Sequence, residues 1–518
     1  MENKEKKLLL QISNLKQYFP VGKGAFVKAN DGITIDIYEG ETFGLVGESG
    51  CGKSTLGRSI LQLYKQTDGR TMYFGRSIDE IAPKYAYDTF RTLTKRRKLM
   101  EDSASKYQAY KAEYDKKSEQ EQYAMHAELI RLRKEANDSM LDVTTLIGGL
   151  FAAPDLKPVE EVYLKKYAVS KELHKANVQR KDIALDVADA EYALSKAREA
   201  GKDTAALQEK LNKANARLAE CDRNIAAINS RIEAINLEVD SLRAKYQNEP
   251  RFAEFDATRS NGIDLARLKY SEMRGLRSDL QLIFQDPYSS LNSRMTVGQI
   301  IGEGMTAHKF FRRNDDRMKD EILRVMEECG LAPYFLHRFP HQFSGGQRQR
   351  IGIARALATH PKFVVCDEAV SALDVSIQAQ IINLLQDLKE QEDLTYLFIT
   401  HDLSVVKYIS DRIGVMYLGN MVELADSQEI FDNPVHPYTE ALLNAIPTTE
   451  DESRKELQIL EGDIPSPVNP PKGCKFHTRC AYCTEICKQV VPEWEEVSPN
   501  HFVACHHKLH RVSEKEQG

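Results

Sequence analysis

The sequence predicts an α/β fold that is interrupted by a long helical insertion and ends in a small cysteine-rich region. Three observations predict it. Apolar runs typical of buried strands occur near the start and in the second half of the chain: FGLV, QLIFQ, KFVVCDE, TYLFITH and RIGVMYLG. Residues 84–266 are instead dominated by Lys, Glu, Ala and Gln with helical periodicity. Five of the nine cysteines lie after residue 473.

Length and composition are those of a multidomain globular protein. The chain has 518 residues, of which 42% are hydrophobic and 29% charged, so it can bury a large core. The net charge of −6 gives no general attraction to nucleic acid or to an anionic membrane. Because the sequence has neither a signal-like start nor a run of about 20 apolar residues, we expect a cytoplasmic protein that reaches a membrane only through a partner.

Changes in texture divide the chain into four predicted regions. Residues 1–83 are mixed α/β and contain a glycine-rich loop, and residues 84–266 form the helical insertion. The α/β texture returns over residues 267–430. Residues 431–518 begin rich in proline and then hold the cysteine cluster.

Apolar residues recur in alternating steps of three and four along the insertion, which is typical of a coiled-coil seam. Gly201 separates two such seams; it can end one helix, and Asp203 or Thr204 can cap the next. We therefore predict an antiparallel coiled-coil hairpin, preceded by a third helical stretch at about 87–137. The seams are Ile183, Val187, Ala190, Leu194 and Ala197, then Leu207, Leu211, Ala214, Leu218, Cys221, Ile225, Ile228, Ile232, Ile235, Val239, Leu242 and Tyr246.

A glycine-rich loop between a predicted strand and a predicted helix matches the pattern G-x-x-x-x-G-K-[ST]. Its glycines let backbone N–H groups wrap a polyphosphate, and the following helix N-terminus adds partial positive charge. Lys53 is expected to neutralise the β- and γ-phosphates of ATP, and Ser54 to ligate Mg²⁺. The loop consists of Gly47, Glu48, Ser49, Gly50, Cys51, Gly52, Lys53, Ser54 and Thr55.

A second nucleotide motif is the apolar run FVVC, which ends in two carboxylates. Asp367 at the strand tip suits a contact to Mg²⁺ through water, and Glu368 beside it suits polarising the attacking water. A lone Asp-Glu pair is more often an ordinary surface feature. Together with the phosphate loop, it predicts ATP hydrolysis.

The stretch FSGGQ precedes a helix-forming sequence, RQRIGIARAL, and can form a second phosphate cradle at a helix start. With the two motifs above, it resembles the signature of ABC ATPases. The resemblance implies an ABC-type P-loop NTPase, with a RecA-like core and antiparallel β and α-helical subdomains. It also implies that the signature completes the nucleotide site of a partner subunit. The signature residues are Ser344, Gly345, Gly346 and Gln347.

The same resemblance assigns three further residues. Gln285 matches the Q-loop, which links Mg²⁺ and the γ-phosphate to the membrane subunits, and His401 matches the switch histidine. Asp374 lies in the motif SALD, which matches the D-loop. For the aromatic residue that stacks on adenine we favour Phe26, with Phe19 and Tyr18 as alternatives.

Several longer stretches resemble the ATPases of oligopeptide and dipeptide importers, among them IFQDPYSSLNSRMTVGQII and FDNPVHPYTEALLNAIP. The resemblance covers about two-thirds of the chain, and it departs from the family at Ala369 and Ala481, where proline is usual. It implies a peripheral protein on the cytoplasmic face of the membrane. The implied partners are a second ATPase subunit, normally a different chain, two transmembrane permeases and, indirectly, an extracellular substrate-binding protein.

Four cysteines match ligand positions of the family's C-terminal region: Cys474, Cys480, Cys487 and Cys505, with Cys483 as an extra thiol. Four thiolates can hold an iron–sulfur cluster or a tetrahedral zinc ion. The resemblance implies a [4Fe–4S] cluster, and Zn²⁺ is the alternative. A disulfide knot does not suit a reducing cytosol.

The insertion is the main departure from the family. Lys53 and Gln285 are about 180 residues further apart than the family needs, so we expect a protruding arm that leaves the active site intact. It is either a solvated spacer or a docking arm for a partner.

Two other function classes agree less well with this sequence. A coiled-coil ABC ATPase acting on DNA normally carries its coil after the Q-loop, and this insertion has no basic stripe for phosphates. Translation-type ABC proteins carry two cassettes in one chain, whereas this chain has one. Import of nickel or another related solute remains an alternative to peptide import.

Overall fold

The computed structural model describes residues 6–22, 24–312, 315–445 and 462–509. Its strands are β1 (Leu8–Gly22), β2 (Ala25–Tyr38), β3 (Thr42–Val46), β4 (Asp68–Tyr73), β5 (Ile263–Asp264), β6 (Leu280–Ile283), β7 (Phe363–Asp367), β8 (Thr395–Ile399), β9 (Arg412–Tyr417), β10 (Asn420–Asp426), β11 (Glu495–Ser498) and β12 (His501–Val503).

Helices surround and interrupt the sheets. They are α1 (Lys53–Ile60), α2 (Ile78–Ile81), α3 (Lys84–Phe90), α4 (Leu93–Tyr114), α5 (Glu119–Ile147), α6 (Lys157–Glu199), α7 (Ala205–Tyr246), α8 (Phe252–Asp256), α9 (Tyr270–Leu276), α10 (Val297–Ala307), α11 (Asp316–Glu328), α12 (Gly345–Leu357), α13 (Val375–Glu392), α14 (Leu403–Ile409), α15 (Ser427–Asp432), α16 (Pro437–Asn444) and α17 (Glu485–Gln489). Short 3₁₀ turns lie at Gly148–Ala152, Leu265–Arg267, Pro333–Phe335 and Pro340–Gln342.

The larger sheet has the strand order β11-β12-β10-β9-β3-β8-β7-β6. Its neighbours from β9 to β6 pair in parallel, and β9, β10, β12 and β11 pair antiparallel. All residues of β3, β7 and β8 are buried, as expected for strands covered on both faces. Because parallel strands end at one edge, the segments that follow β3, β7 and β8 meet there.

The smaller antiparallel sheet explains how the insertion fits into the fold. Its strand order is β2-β1-β4-β5. The chain leaves this sheet at the end of β4 and returns in β5, where Tyr73 pairs with Ile263 and Met72 with Asp264. The insertion therefore starts and ends on adjacent strands and leaves both sheets uninterrupted.

Two helix pairs make up most of the insertion. Helices α6 and α7 run side by side, joined at Gly201 with a left-handed φ of 63°, and the carboxylate of Asp203 accepts from the backbone N–H of Ala205 at 3.0 Å. The side chains of the two predicted seams are buried or half-buried along this pair, and the buried stripe of α6 extends upstream of the predicted seam to Ala176, Leu173 and Val169. At its base, Phe90, Phe151 and Tyr163 belong to an apolar cluster separate from the ATPase core.

The single helical stretch predicted at 87–137 is wrong in detail. The chain there contains the end of α3 and two longer helices, α4 and α5, that pack against each other. The break lies at residues 115–118, where the Glu121 carboxylate accepts from the backbone N–H of Ser118 at 3.1 Å and from its hydroxyl at 2.7 Å. This Ser-x-x-Glu pattern is a helix start signal within the charged sequence.

Candidate functional site

A cavity of about 350 Å³ opens where the segments after β3 and β7 meet. One wall is the glycine-rich loop with the start of α1, and the opposite wall comes from the first two strands and the turn after β9. The lining residues are Phe19, Val27, Lys28, Ala29, Ser49, Gly50, Cys51, Gly52, Lys53, Ser54, Thr55, Gln285, Glu368, Leu418, Gly419 and Pro467.

The glycine-rich loop has the backbone shape that a phosphate cradle requires. Gly52 has a φ of 105°, and a Cβ there would lie 2.1 Å from the carbonyl oxygen of Ala29. Only glycine fits this left-handed position. Lys53 is 4% exposed, and its ammonium donates to the carbonyls of Gly47 at 2.7 Å and Glu48 at 3.1 Å. The lysine is thus held at the start of α1, beside the cavity.

Three predicted catalytic residues lie together at the cavity. Gln285 and Glu368 line it, and His401 lies beside Glu368. The Gln285 amide donates to Oε2 of Glu368 at 2.6 Å, and Nδ1 of His401 lies 3.7 Å from Oε1. Glu368 follows β7 with a φ of 48°, an uncommon backbone conformation for this residue type. These residues come from three separate segments, and the parallel sheet alone places them side by side.

Asp367 is fully buried at the end of β7, and its two oxygens differ. Oδ2 accepts from the Arg58 guanidinium at 3.0 Å. Oδ1 has no hydrogen-bond partner among the described residues. A buried carboxylate oxygen without a donor is unfavourable on its own and suits a contact to metal-bound water. Arg58 was missed by sequence reasoning; its position on the helix after Lys53 was the available signal.

The signature and D-loop residues lie outside this cavity. Ser344 caps α12, with its hydroxyl accepting from the backbone N–H of Gln347 at 3.4 Å. Asp374 caps α13 and accepts from the N–H of Ile377 at 3.0 Å. Both caps are exposed, and neither they nor Gly345 and Gly346 line the cavity of their own chain.

Comparison with known proteins identifies the family. The ABC transporter family model matches residues 30–150 and 253–371, and that of the oligopeptide/dipeptide transporter C-terminal region matches residues 422–487. The putative oligopeptide transport ATP-binding protein YkfD of Bacillus subtilis is 34% identical over 513 residues, covering 98% of each chain. The chain belongs to the ABC transporter family.

Two further relatives match about half of this ABC ATPase at higher identity. The oligopeptide transport ATP-binding protein AppF of Bacillus subtilis is 52% identical over 250 residues, which cover 47% of this chain and 75% of AppF. The oligopeptide transport ATP-binding protein OppF of Salmonella typhimurium is 53% identical over 247 residues, covering 47% and 73%. The family implies ATP as the nucleotide and Mg²⁺ as its metal.

The aromatic residue at the cavity differs from the one favoured in the sequence. Phe19 lines the cavity, and its ring packs edge-on against Tyr64 at 5.3 Å between centroids. Phe26 is 46% exposed and does not line it. The two residues lie near the turn of the β1–β2 hairpin, where Phe19 pairs with Val27 and Phe26 pairs with Pro20. One step along the strand turns a side chain to the opposite face, which the sequence pattern did not resolve.

The C-terminal region also reaches the nucleotide cavity, which the sequence did not predict. Pro467 lines it and accepts from the backbone N–H of Lys28 at 3.1 Å. The Arg479 guanidinium contacts the Glu48 carboxylate in the phosphate loop. Strand β12 pairs with β10, so this region extends the main sheet.

The four predicted cysteine ligands are neighbours in the structure. Burial, together with the nearby Cys480 and Cys487, raises the pKa of the Cys474 thiol to about 11 and that of the Cys505 thiol to about 12. In the part of the chain that the structure describes, no group of three or more His, Cys, Asp or Glu side chains is arranged to hold a metal ion. Nδ1 of His477, near these thiols, lies 2.8 Å from the carbonyl oxygen of Cys474, and Nε2 of His506 lies 2.9 Å from that of Val490.

None of the helices among the described residues is both long and apolar enough to cross a bilayer. The longest, α6 and α7, are amphipathic and carry many charges.

Proposed function

We propose that this chain binds and hydrolyses ATP to energise an importer of oligopeptides or dipeptides. The observation that carries the proposal is the position of Glu368. It lines the same cavity as Lys53 and is hydrogen-bonded to Gln285. The relatives' names and the match of the peptide-transporter C-terminal region favour peptides over nickel or DNA as the target.

Each cavity residue has a distinct role in the proposed hydrolysis. Backbone N–H groups of the glycine-rich loop and the N-terminus of α1 bind the phosphates, with Lys53 neutralising the β- and γ-phosphate oxygens. Glu368 accepts a proton from the attacking water, and Gln285 and His401 orient that carboxylate and the water. Mg²⁺, held by Ser54, Gln285 and, through water, Asp367, supplies positive charge beside the phosphates.

Arg58 has a role in the same proposal. It fixes one oxygen of Asp367, so the other, Oδ1, which has no partner among the described residues, would be available to a metal-bound water. Phe19, at the far side of the cavity from Glu368, is the proposed aromatic platform for adenine.

The proposed assembly contains a second ATPase subunit. It is a different chain, as is usual for the importer ATPases that this sequence resembles. In this assembly, the phosphate loop of the second subunit faces the Ser344 cap and Asp374 of this chain. The phosphate loop of this chain faces the corresponding residues of the second subunit. Support comes from the exposure of both caps outside their own cavity. Two permeases hold the pair at the cytoplasmic face of the membrane, and an extracellular binding protein delivers the peptide.

We propose that the chain has four regions, the second of which forms a coiled-coil hairpin. They are residues 1–83, 84–266, 267–430 and 431–518. The buried seam side chains of α6 and α7 support the coiled coil. The pairing of β4 with β5 supports an insertion that leaves the ATPase fold intact.

The metal of the cysteine region is part of the proposal. Cys474, Cys480, Cys487 and Cys505 would hold a [4Fe–4S] cluster, with Zn²⁺ as the alternative, and their role is structural. Protein purified without oxygen is assayed for iron, sulfide and zinc and for visible absorption. Cys487→Ser is expected to lose the metal, and Cys483→Ser to retain it. Full loss in both variants, or no metal in the wild type, contradicts the assignment.

The transport proposal is tested in the membrane. The full chain is expected to co-purify with two permeases and a second ATPase, and cells lacking it are expected to lose uptake of a labelled tripeptide. Lys53→Ala in the reintroduced gene is expected not to restore uptake, because the phosphates lose their main cation. Normal uptake with that variant, or co-purification with DNA in place of permeases, contradicts the proposal.

A further inference from the structure

A buried arginine of the C-terminal region holds the only acidic residue of the phosphate loop. Arg479 donates from Nη1 to Oε2 of Glu48 at 2.8 Å and from Nη2 to Oε1 at 3.0 Å. The Arg479 side chain is 5% exposed and that of Glu48 is 23% exposed. A two-point guanidinium–carboxylate contact is both strong and directional.

Glu48 connects this arginine to the phosphate-binding lysine. The carbonyl of Glu48 accepts from the Lys53 ammonium at 3.1 Å, and its N–H donates to the Tyr438 hydroxyl at 3.0 Å. Side chain, N–H and carbonyl of one residue thus have three separate partners. Two of those partners, Arg479 and Tyr438, lie in the C-terminal region.

The segment around Arg479 is itself firmly placed. The backbone N–H of Arg479 donates to the carbonyl of Phe476 at 3.0 Å, and the Phe476 ring packs on Tyr417 and Tyr438 with centroids 5.2 Å apart in each case. Lys475 donates to Asp31 at 3.2 Å and to the carbonyl of Leu418 at 3.1 Å. Leu418 lines the nucleotide cavity, so the segment supports two of its walls.

The electrostatic consequence concerns the triphosphate. Glu48 stands next to the loop residues that line the cavity, but it does not line the cavity itself. An unpaired carboxylate at this position would repel an anionic ligand, whereas the paired one is neutralised and turned away.

We propose that Arg479 is a positioning residue for ATP: through Glu48 it shapes the phosphate loop and cancels a negative charge beside the phosphates. The inference rests on the proposed ATP site. It gives the C-terminal region a direct part in nucleotide binding.

The test measures KM and kcat for ATP hydrolysis by the full chain, together with the Kd of a fluorescent ATP analogue. Arg479→Ala is expected to raise KM and Kd about tenfold and to change kcat less than about twofold, because binding and not chemistry is affected. Lys508→Ala is the matched control. It removes a cation of the same region that pairs with Glu495 at 2.8 Å, and its KM is expected to stay at the wild-type value.

A second variant separates charge cancellation from general damage to the fold. Glu48→Gln removes the charge that Arg479 cancels, so Arg479→Ala/Glu48→Gln is expected to bind ATP more tightly than Arg479→Ala alone. A purely structural loss would make the double variant no better, or worse. Arg479→Lys, which keeps the charge but cannot form two parallel bonds, is expected to raise KM less than Arg479→Ala and serves the same comparison if that variant is unstable.

The outcomes distinguish the inference from the proposed function. If the wild type hydrolyses ATP and Arg479→Ala leaves KM within about twofold, the inference is overturned and the ATPase proposal stands. An absence of rescue by Glu48→Gln also overturns it. If the wild type shows no hydrolysis with any partner ATPase present, the proposed function itself fails.

Discussion

The ATPase core and the helical insertion are built on opposite principles. In the core, Lys53, Gln285, Glu368 and His401 are far apart in sequence. They meet because they follow β3, β6, β7 and β8, which are parallel neighbours in one sheet. In the α6–α7 part of the insertion, residues that touch lie in two helices joined by a short turn. Contacts between residues distant in sequence create the nucleotide site. Contacts within one hairpin create the arm, which can therefore change without displacing the site residues.

The two regions nevertheless contact each other at two places, at the base of the arm and part-way along α6. Near its base, the Arg70 guanidinium donates to Asp142 at 2.8 Å, and Lys134 contacts Asp68 at 2.7 Å. Further along α6, acidic side chains contact the basic segment that leads into α11. The arm therefore rests on the part of the core that carries the signature helix α12, which α10 and α11 support.

The largest expected effect lies in the core. Glu368→Gln is expected to lower kcat by at least about 100-fold and to leave ATP binding intact, because the proton acceptor is lost while the phosphate contacts remain. Hydrolysis and binding are measured separately. Glu390→Gln, an exposed carboxylate on α13, is the control. Near-normal turnover by Glu368→Gln would contradict the assignment of Glu368 as the general base.

A seam substitution tests whether the arm is independent of the core. Ile235 is 3% exposed in the α6–α7 contact, so Ile235→Ala is expected to destabilise the hairpin by about 2–5 kcal/mol. Amide exchange over residues 157–246 measures this loss. Leu237, on the same helix but 69% exposed, provides the control Leu237→Ala with little effect.

The same seam variant also measures how far the core depends on the arm. ATP hydrolysis by Ile235→Ala is expected to stay within about twofold of the wild type, because no hairpin residue lines the nucleotide cavity. Loss of hydrolysis in step with the hairpin would mean that the two regions fold as one unit.

Sequence reasoning is most informative where a pattern is local. The phosphate loop, the Asp367–Glu368 strand end and the heptad seams are each contiguous or periodic. In the structure, residues 49–55 line the cavity, Asp367 ends β7, and the seam side chains are buried or half-buried. It failed where the decisive partner is distant. The contacts of Arg58 with Asp367 and of Arg479 with Glu48 join residues more than 300 positions apart, and no spacing rule predicts them.

The adenine platform gives a smaller effect in the core. Phe19→Ala is expected to raise the KM for ATP about tenfold, because stacking on a base contributes about 1–3 kcal/mol. Phe26→Ala is the matched control and is expected to change KM less than about twofold, since its ring is turned away from the cavity. The reverse ranking would restore the residue favoured from the sequence.

The smallest effect is expected where the arm meets the basic segment. Asp182, Asp186 and Asp189 lie on one face of α6, and Lys309 contacts the first at 3.2 Å while Arg312 and Arg317 contact the others. These side chains are partly or largely exposed to solvent, so each ion pair contributes about 1 kcal/mol or less to stability.

Reversing two of these acidic charges tests that contact, and because Asp186 also pairs with Arg217 of α7 at 3.2 Å, the control has to break a pair inside the hairpin. Asp186→Lys/Asp189→Lys is expected to speed amide exchange in α11 and at the facing part of α6, with kcat changed less than about twofold. High salt is expected to act on the wild type in the same direction, because partly exposed pairs are screened. Asp222→Lys, which breaks the pair with Arg180 inside the hairpin, is the control and should leave α11 unchanged. Unchanged exchange in α11 after the double reversal would mean that the arm stands on its apolar base alone, and that its link to the signature helix carries no free energy.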